Sequence, residues 1–226
     1  MDDFLKSRFR TVGVVTLLIL VVFFVVLLFV QYREKKNTAF KLKVIYSDII
    51  QSLLMSKNYN GVPGEWGWKP GYKNIDLIEF NVFSQLKIAR NCLDKPGDCM
   101  PDVKYKSIKE KVTNVNLHNY PSVRLRNGIA IAIETVGKCK RDDQVCAFMY
   151  VDLNGSEEPN AFGKDLFLFQ IVNNESAPLK VYGEGLSTSE LISHEKFGCN
   201  KDASMALYCS ALIKANEWKI TSEYPW

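Results

Sequence analysis

One uninterrupted apolar run near the start of the chain constrains the fold more than any other feature. Residues 12–30 form 19 consecutive uncharged positions, and only Gly13 and Thr16 reduce their hydrophobicity. As an α-helix rising roughly 1.5 Å per residue, the run spans about 28 Å, close to the hydrocarbon thickness of a bilayer. A helix also satisfies its own backbone hydrogen bonds inside lipid. The run therefore predicts a transmembrane helix over residues 12–31.

A cleaved signal peptide is the alternative explanation of this run. Signal peptides carry an apolar core of about 7–15 residues, followed by a cleavage site of small residues. Here the run is longer, and Gln31, Tyr32 and Arg33, which follow it, do not form such a site. We therefore expect the helix to be retained, with residues 1–11 as a cytoplasmic tail.

The helical pattern continues beyond the apolar run. Residues 32–57 contain neither glycine nor proline, and their apolar positions recur at helical spacing. These positions are Leu42, Ile45, Ile49 and Leu53. We predict that residues 32–58 extend the membrane helix as an amphipathic helix, and that a globular domain occupies residues 59–226.

Six cysteines fall into three short-range pairs, whose members are separated by six or nine other residues. The pairs are Cys92/Cys99, Cys139/Cys146 and Cys199/Cys209. An even number of cysteines at short range predicts disulfides, which persist in an oxidising compartment such as a periplasm, although spacing leaves the connectivity open. Metal binding is the alternative, but there is no Cys-x-x-Cys, and His118 and His194 lie apart from the cysteines. The cysteines therefore favour an exported domain. The basic residues that flank the apolar run do not favour this orientation.

The basic residues are unevenly distributed. Residues 32–43 hold five basic side chains and one acidic, whereas residues 44–226 hold 21 basic and 22 acidic. The globular part is close to neutral, and the basic excess is placed to meet anionic lipid headgroups. The membrane is therefore the partner that the charges indicate, and nothing in them indicates nucleic acid.

The globular part predicts a small antiparallel sheet after an irregular region. A short helix is predicted at about Asp76–Asn91. From Ser122 apolar and basic residues alternate, and Asn127-Gly128 is a strong signal for a two-residue hairpin. A third strand is predicted over Cys146–Asp152, and an apolar segment at about 203–215 predicts a last helix. The fold class is α+β, with the long helix packed on the sheet.

Several stretches resemble the type IV pilins and the pseudopilins of type II secretion. The most specific is the block from Val151 to Phe167, with Asp-Leu-Asn-Gly at 152–155 and Pro-Asn-Ala-Phe-Gly-Lys-Asp-Leu-Phe at 159–167. The segments 32–35 and 42–47, and the ending with Cys209, Ile213, 217–220 and 224–226, are similar as well. The resemblance implies a pilin-like fold and a structural subunit of an envelope filament.

One segment departs from that family. Prepilins carry a Gly-Phe-Thr-Leu-x-Glu-like processing site before the apolar helix, whereas residues 7–12 read Ser-Arg-Phe-Arg-Thr-Val. The missing glutamate is the residue expected to neutralise a neighbouring subunit's new N-terminus, a buried charge that needs a partner. The departure favours a second hypothesis, a permanently anchored periplasmic binding domain that does not polymerise.

The acidic block carries the only metal hypothesis. Asp152, Asn154 and Asp165 are short oxygen-bearing residues, and Gly155 and Gly163 let the chain turn so that their oxygens converge. The resemblance implies a structural calcium, and the alternative is an Asx turn in which the side chains bind their own backbone. No catalytic constellation emerges around His118 or His194, so we expect no enzyme and no other cofactor. The implied partners are further copies or other pilin-like subunits.

Overall fold

The longest element is helix α1, which runs from Asp2 to Asn60 over 59 residues. The structure is a computed structural model that describes residues 2–70 and 74–226, with side chains from Val15 onward. The predicted long helix is present, and residues 2–11, expected as a tail, are helical too. The chain divides into two compact units, Met1–Asn37 and Thr38–Trp226.

In the first unit, helix α1 leaves its apolar surface uncovered. The large apolar side chains between Val15 and Val30 are each 44–62% exposed. The most apolar stretch has a mean hydropathy of 2.9 and none of it is buried. By length and composition this helix can cross a membrane.

In the second unit, the same helix has one buried face. Leu42, Ile45, Ile49 and Leu53 are all fully buried, whereas Phe40 and Tyr59 are 65% and 85% exposed. The ring of Tyr46 meets that of Phe169 edge-on with centroids 5.8 Å apart. This periodic apolar stripe therefore packs the helix onto the sheet.

The sheet has six antiparallel strands that are neighbours in chain order. They are β1 (Ile88–Cys92), β2 (Ser122–Leu125), β3 (Ala130–Thr135), β4 (Val145–Asp152), β5 (Leu166–Val172) and β6 (Leu179–Val181). The remaining elements are a 3-10 helix (Pro63–Glu65), α2 (Ile75–Asn81), α3 (Thr188–Ser193) and α4 (Cys209–Ala215). The predicted α+β class is confirmed.

The helix predicted at about Asp76–Asn91 is wrong in its second half. Helix α2 ends at Asn81, and β1 begins at Ile88. Strand β1 pairs with β2, so that Asn91 lies opposite Val123. Tertiary pairing of this kind overrides a local helical pattern, because the sheet satisfies the backbone hydrogen bonds that the helix would have made.

The hairpin was placed correctly, but its loop has three residues instead of two. The Gly128 N–H donates to the Leu125 carbonyl at 3.0 Å, and the Leu125 N–H donates to the Ile129 carbonyl at 2.8 Å. Gly128 has a φ of 87°, whereas Asn127 is not left-handed. This is the three-residue loop in which a glycine forms a bulge.

Strands β5 and β6 and helix α3 were not predicted, and the last helix starts later than expected. Strand β5 reads Leu-Phe-Leu-Phe-Gln-Ile-Val and is buried on both faces, so it lacks the alternation that marks a half-exposed strand. Helix α4 packs against β5, and its Ser210 Oγ donates to the Leu168 carbonyl at 3.2 Å.

All six cysteines form disulfides between sequence neighbours. The bonds join Cys92 to Cys99, Cys139 to Cys146, and Cys199 to Cys209. The predicted disulfides are therefore confirmed, and the structure supplies the connectivity.

The buried stripe of α1 has a direct test. Replacing Leu53 with alanine should lower the free energy of unfolding of the Thr38–Trp226 unit by about 2–5 kcal/mol, because it leaves a cavity against the sheet. Gln51→Ala, on the exposed face of the same helix, should change it by less than about 0.5 kcal/mol. Urea unfolding of the full chain in detergent measures both, and equal effects would contradict this packing.

Candidate functional site

The predicted acidic residues meet where strand β4 ends and strand β5 begins. Asp152 is the last residue of β4 and pairs with Leu166, the first residue of β5. Asp165 immediately precedes Leu166, so the sheet register brings the two carboxylates together although 12 residues separate them in the chain. Asp152 is fully buried and Asp165 is 4% exposed.

Asp152 closes a turn with its first carboxylate oxygen. Its Oδ1 accepts hydrogen bonds from the backbone N–H of Asn154 at 3.2 Å and of Gly155 at 2.8 Å. This is the Asx turn that the sequence offered as an alternative. Gly155 adopts a φ of 72°, and a Cβ there would lie 3.0 Å from the Gly128 carbonyl oxygen, so the turn needs glycine.

The second oxygen of Asp152 binds a residue that the sequence did not reveal. Its Oδ2 accepts a hydrogen bond from the Tyr105 hydroxyl at 2.7 Å, and Tyr105 is fully buried. Tyr105 lies in the irregular connection between β1 and β2, 47 residues from Asp152, and no local motif marks it. A contact of this separation is visible only in the folded chain.

Asp165 organises the other end of the same loop. Its Oδ2 accepts from the backbone N–H of Asn160 at 2.8 Å, and its Oδ1 accepts from that of Ala161 at 2.6 Å. Asn154 also reaches this carboxylate with its side chain, and its Nδ2 donates to the Glu158 carbonyl at 3.1 Å. The three predicted residues therefore lie together.

Burial dominates the electrostatics of the pair. Burial and the charge of Asp165 raise the pKa of Asp152 to about 7, against the hydrogen bonds from Tyr105, Asn154 and Gly155. Burial also raises the pKa of Asp165, opposed by the N–H groups of Ala161 and Asn160. The charge of the Asp165 carboxylate therefore disfavours ionisation of Asp152.

The donor chemistry of this cluster is suited to a hard cation, but its carboxylates already have partners. Two amide oxygens, Asn154 Oδ1 and Asn160 Oδ1, are buried without a hydrogen-bond partner in the part of the chain that the structure describes. Calcium prefers such oxygen ligands. However, each carboxylate oxygen accepts at least one hydrogen bond from the chain. Within residues 2–70 and 74–226, no three His, Cys, Asp or Glu side chains form a group that could hold a metal.

The two histidines lie elsewhere and have local roles. His118 Nδ1 is 3.1 Å from the Met100 carbonyl oxygen. His194 Nδ1 accepts from the backbone N–H of Lys196 and of Phe197, and its ring stacks on that of Phe197. These contacts order two surface loops.

Comparison with known proteins identifies the family. The chain belongs to a family of unknown function (DUF6613), whose model matches residues 28–226. The match includes the whole sheet and the connection from β4 to β5 that holds Asp152 and Asp165. No curated protein and no solved structure matches this chain.

The raised pKa of Asp152 predicts a pH dependence of stability. The unfolded carboxyl titrates near its ordinary value of 3.8 and the folded one at about 7, so the folded state binds the proton more tightly. Stability should therefore fall as the pH rises from about 4 to about 7, by up to roughly 4 kcal/mol, and then level off. Asp152→Asn should reduce this loss to the part that comes from Asp165, whose pKa is also raised, while Asp142→Asn, on an exposed loop, should keep the whole loss. Unfolding curves measured across this pH range test the prediction. It would be contradicted if the free energy of unfolding of Asp152→Asn fell with pH as steeply as that of the wild type.

The two explanations of the acidic site, a bound calcium ion and an Asx turn, predict different effects of calcium on the Tm. Because the carboxylates already bind the chain's own donors, we expect the same Tm in calcium and in chelator. If calcium binds, a free calcium concentration of about a hundred times its Kd would instead raise the free energy of unfolding by about 2.7 kcal/mol. The Tm would then rise by roughly 5–10 °C for a domain of this size. Such a rise, absent in Asp165→Asn, would establish the calcium site that the sequence suggested.

Proposed function

We propose that this protein is a pilin-like structural subunit of a bacterial envelope filament, in a type II secretion or type IV pilus apparatus. In this proposal residues 12–31 cross the inner membrane once. The unit Thr38–Trp226 lies in the periplasm or at the cell exterior. The role is structural and not enzymatic, and the partners are the membrane, further copies of the chain and other pilin-like subunits.

Helix α1 is the observation that carries the proposal. Its apolar part between Val15 and Val30 is exposed on every side. Such a surface is unfavourable in water, so a lipid bilayer or other apolar helices must cover it. The same continuous helix also supplies the buried stripe of the second unit. This stripe extends from Leu42 to Leu53. One helix that serves first as an apolar stem and then as a core element suits a subunit that is anchored and later assembled.

The disulfides support the export of the domain, and the sheet supports its pilin-like fold. Three local disulfides are typical of an oxidising compartment. An antiparallel sheet covered on one face by the second half of a long helix is the arrangement that the resemblance to pilins implies.

A second function is favoured by one specific observation. Residues 7–12 carry neither the glycine nor the glutamate of a prepilin processing site. Without cleavage the helix would stay in the bilayer, and the protein would be a permanently anchored periplasmic domain that binds another envelope component.

The mature N-terminus separates these two functions. If the protein is a pilin-like subunit, mass spectrometry of membrane-extracted protein should find a new, N-methylated start near Phe9. Phe9→Ala should block this processing, and Phe4→Ala, in the same helix but away from the site, should not. Full retention of residues 1–8 would contradict processing and leave the permanently anchored domain.

A further inference from the structure

A positively charged groove lies at one end of the second unit. It is formed by the turn that follows helix α1, by the connection from β3 to β4, and by the end of β5, and has a volume of about 700 Å³. Three exposed lysines, Lys69, Lys138 and Lys140, line this basic groove above the buried ring of Trp68.

The residues that the structure describes do not neutralise the charge of the basic groove. None of the three lysines forms an ion pair with any residue that the structure describes. Among the described residues that line the groove, one is acidic. It is Glu65, whose Oε2 accepts a hydrogen bond from the backbone N–H of Val62 at 3.2 Å. The groove therefore presents a net positive charge to an incoming partner.

The walls of the basic groove are fixed by covalent and polar links. Lys138 and Lys140 are exposed on either side of the buried Cys139, which is bonded to Cys146 at the start of β4. The Asn173 side chain joins the two walls. Its Oδ1 accepts from the Gly64 N–H at 2.9 Å, and its Nδ2 donates to the Lys140 carbonyl at 3.1 Å. A site held in this way loses little conformational entropy on binding.

The opposite end of the same strands carries an acidic loop, defined by Glu157 and Glu158. Both side chains are exposed, and neither forms an ion pair with a described residue. The loop follows β4, whose eight residues span about 23 Å from the groove end to the loop end. Each copy therefore presents a positive groove and a negative loop at opposite ends of one rigid sheet.

We propose that the basic groove of one copy receives the acidic loop of a second copy. Two different surfaces meet in such a contact, so it does not close on itself as a twofold dimer does, and it can repeat along an open chain of subunits. The charges are complementary, with lysines facing glutamates across the contact. This inference rests on the proposed function, since it names the contact through which the subunits would associate.

Zero-length carbodiimide cross-linking tests the contact, because it joins a lysine amine to a carboxylate only where the two touch. Heavy-isotope and unlabelled full-length chains are mixed and reconstituted together in vesicles. We expect heavy–light peptides that join Lys138 or Lys140 to Glu157 or Glu158. Their yield should fall as the ionic strength rises from about 0.05 to about 0.5 M, because salt screens such contacts.

Charge reversal gives the matched controls. Lys138→Glu/Lys140→Glu should lower the yield of heavy–light cross-links at this contact more than about tenfold, since like charges would then face each other. Glu157→Lys/Glu158→Lys should do the same, and the four substitutions together should restore cross-links between the exchanged positions. Lys95→Glu/Lys104→Glu, which alters two exposed lysines outside the groove, should leave the yield unchanged.

Three outcomes would overturn the inference. The first is heavy–light cross-linking only at other positions, in which case the proposed self-association stands and this contact does not. The second is cross-linking of the groove lysines to a different protein in native membranes, with no link to Glu157 or Glu158. The third is the absence of any heavy–light cross-link, which would also count against the proposed self-association.

Discussion

The packing of one helical stripe against the sheet is the interaction on which the rest of the structure depends. Leu42, Ile45, Ile49 and Leu53 are fully buried, and they supply the apolar cover that a six-stranded antiparallel sheet needs on its inner face. The sheet in turn fixes the positions of its connecting loops. The β4–β5 register brings Asp152 next to Asp165 at one end of these strands, and the basic groove lies at their other end.

The strand register places two carboxylates in the core, where the loss of solvation is unfavourable for their charged forms. Asp152 and Asp165 are desolvated next to each other, which raises the pKa of both. The chain offsets this by directing N–H and O–H groups at them, from the turn at Gly155, from Ala161 and from Tyr105. The pair therefore orders the β4–β5 connection, and this same connection carries the exposed Glu157 and Glu158.

Helix α1 must satisfy two environments along its length. Between Val15 and Val30 the side chains are apolar on every face and exposed, whereas from Thr38 onward one face is apolar and buried. The change in pattern within one continuous helix follows the change in what covers it. Lipid or neighbouring apolar helices suit the first part, and the chain's own sheet covers the second.

The sequence by itself determined the elements whose signals are local. The apolar length of residues 12–30, the helical spacing of Leu42 to Leu53, the hairpin at Asn127-Gly128 and the cysteine pairs are all readable within short windows, because backbone geometry and hydrophobic periodicity act over a few residues. The three acidic-site residues were also predicted to converge, because their side chains are short and oxygen-bearing and Gly155 and Gly163 let the chain turn. Only the tertiary structure decided that residues 88–92 form a strand, that Tyr105 binds Asp152, and that Lys69 joins Lys138 and Lys140 in one groove. These features depend on strand pairing and on contacts between distant segments, which local patterns do not encode.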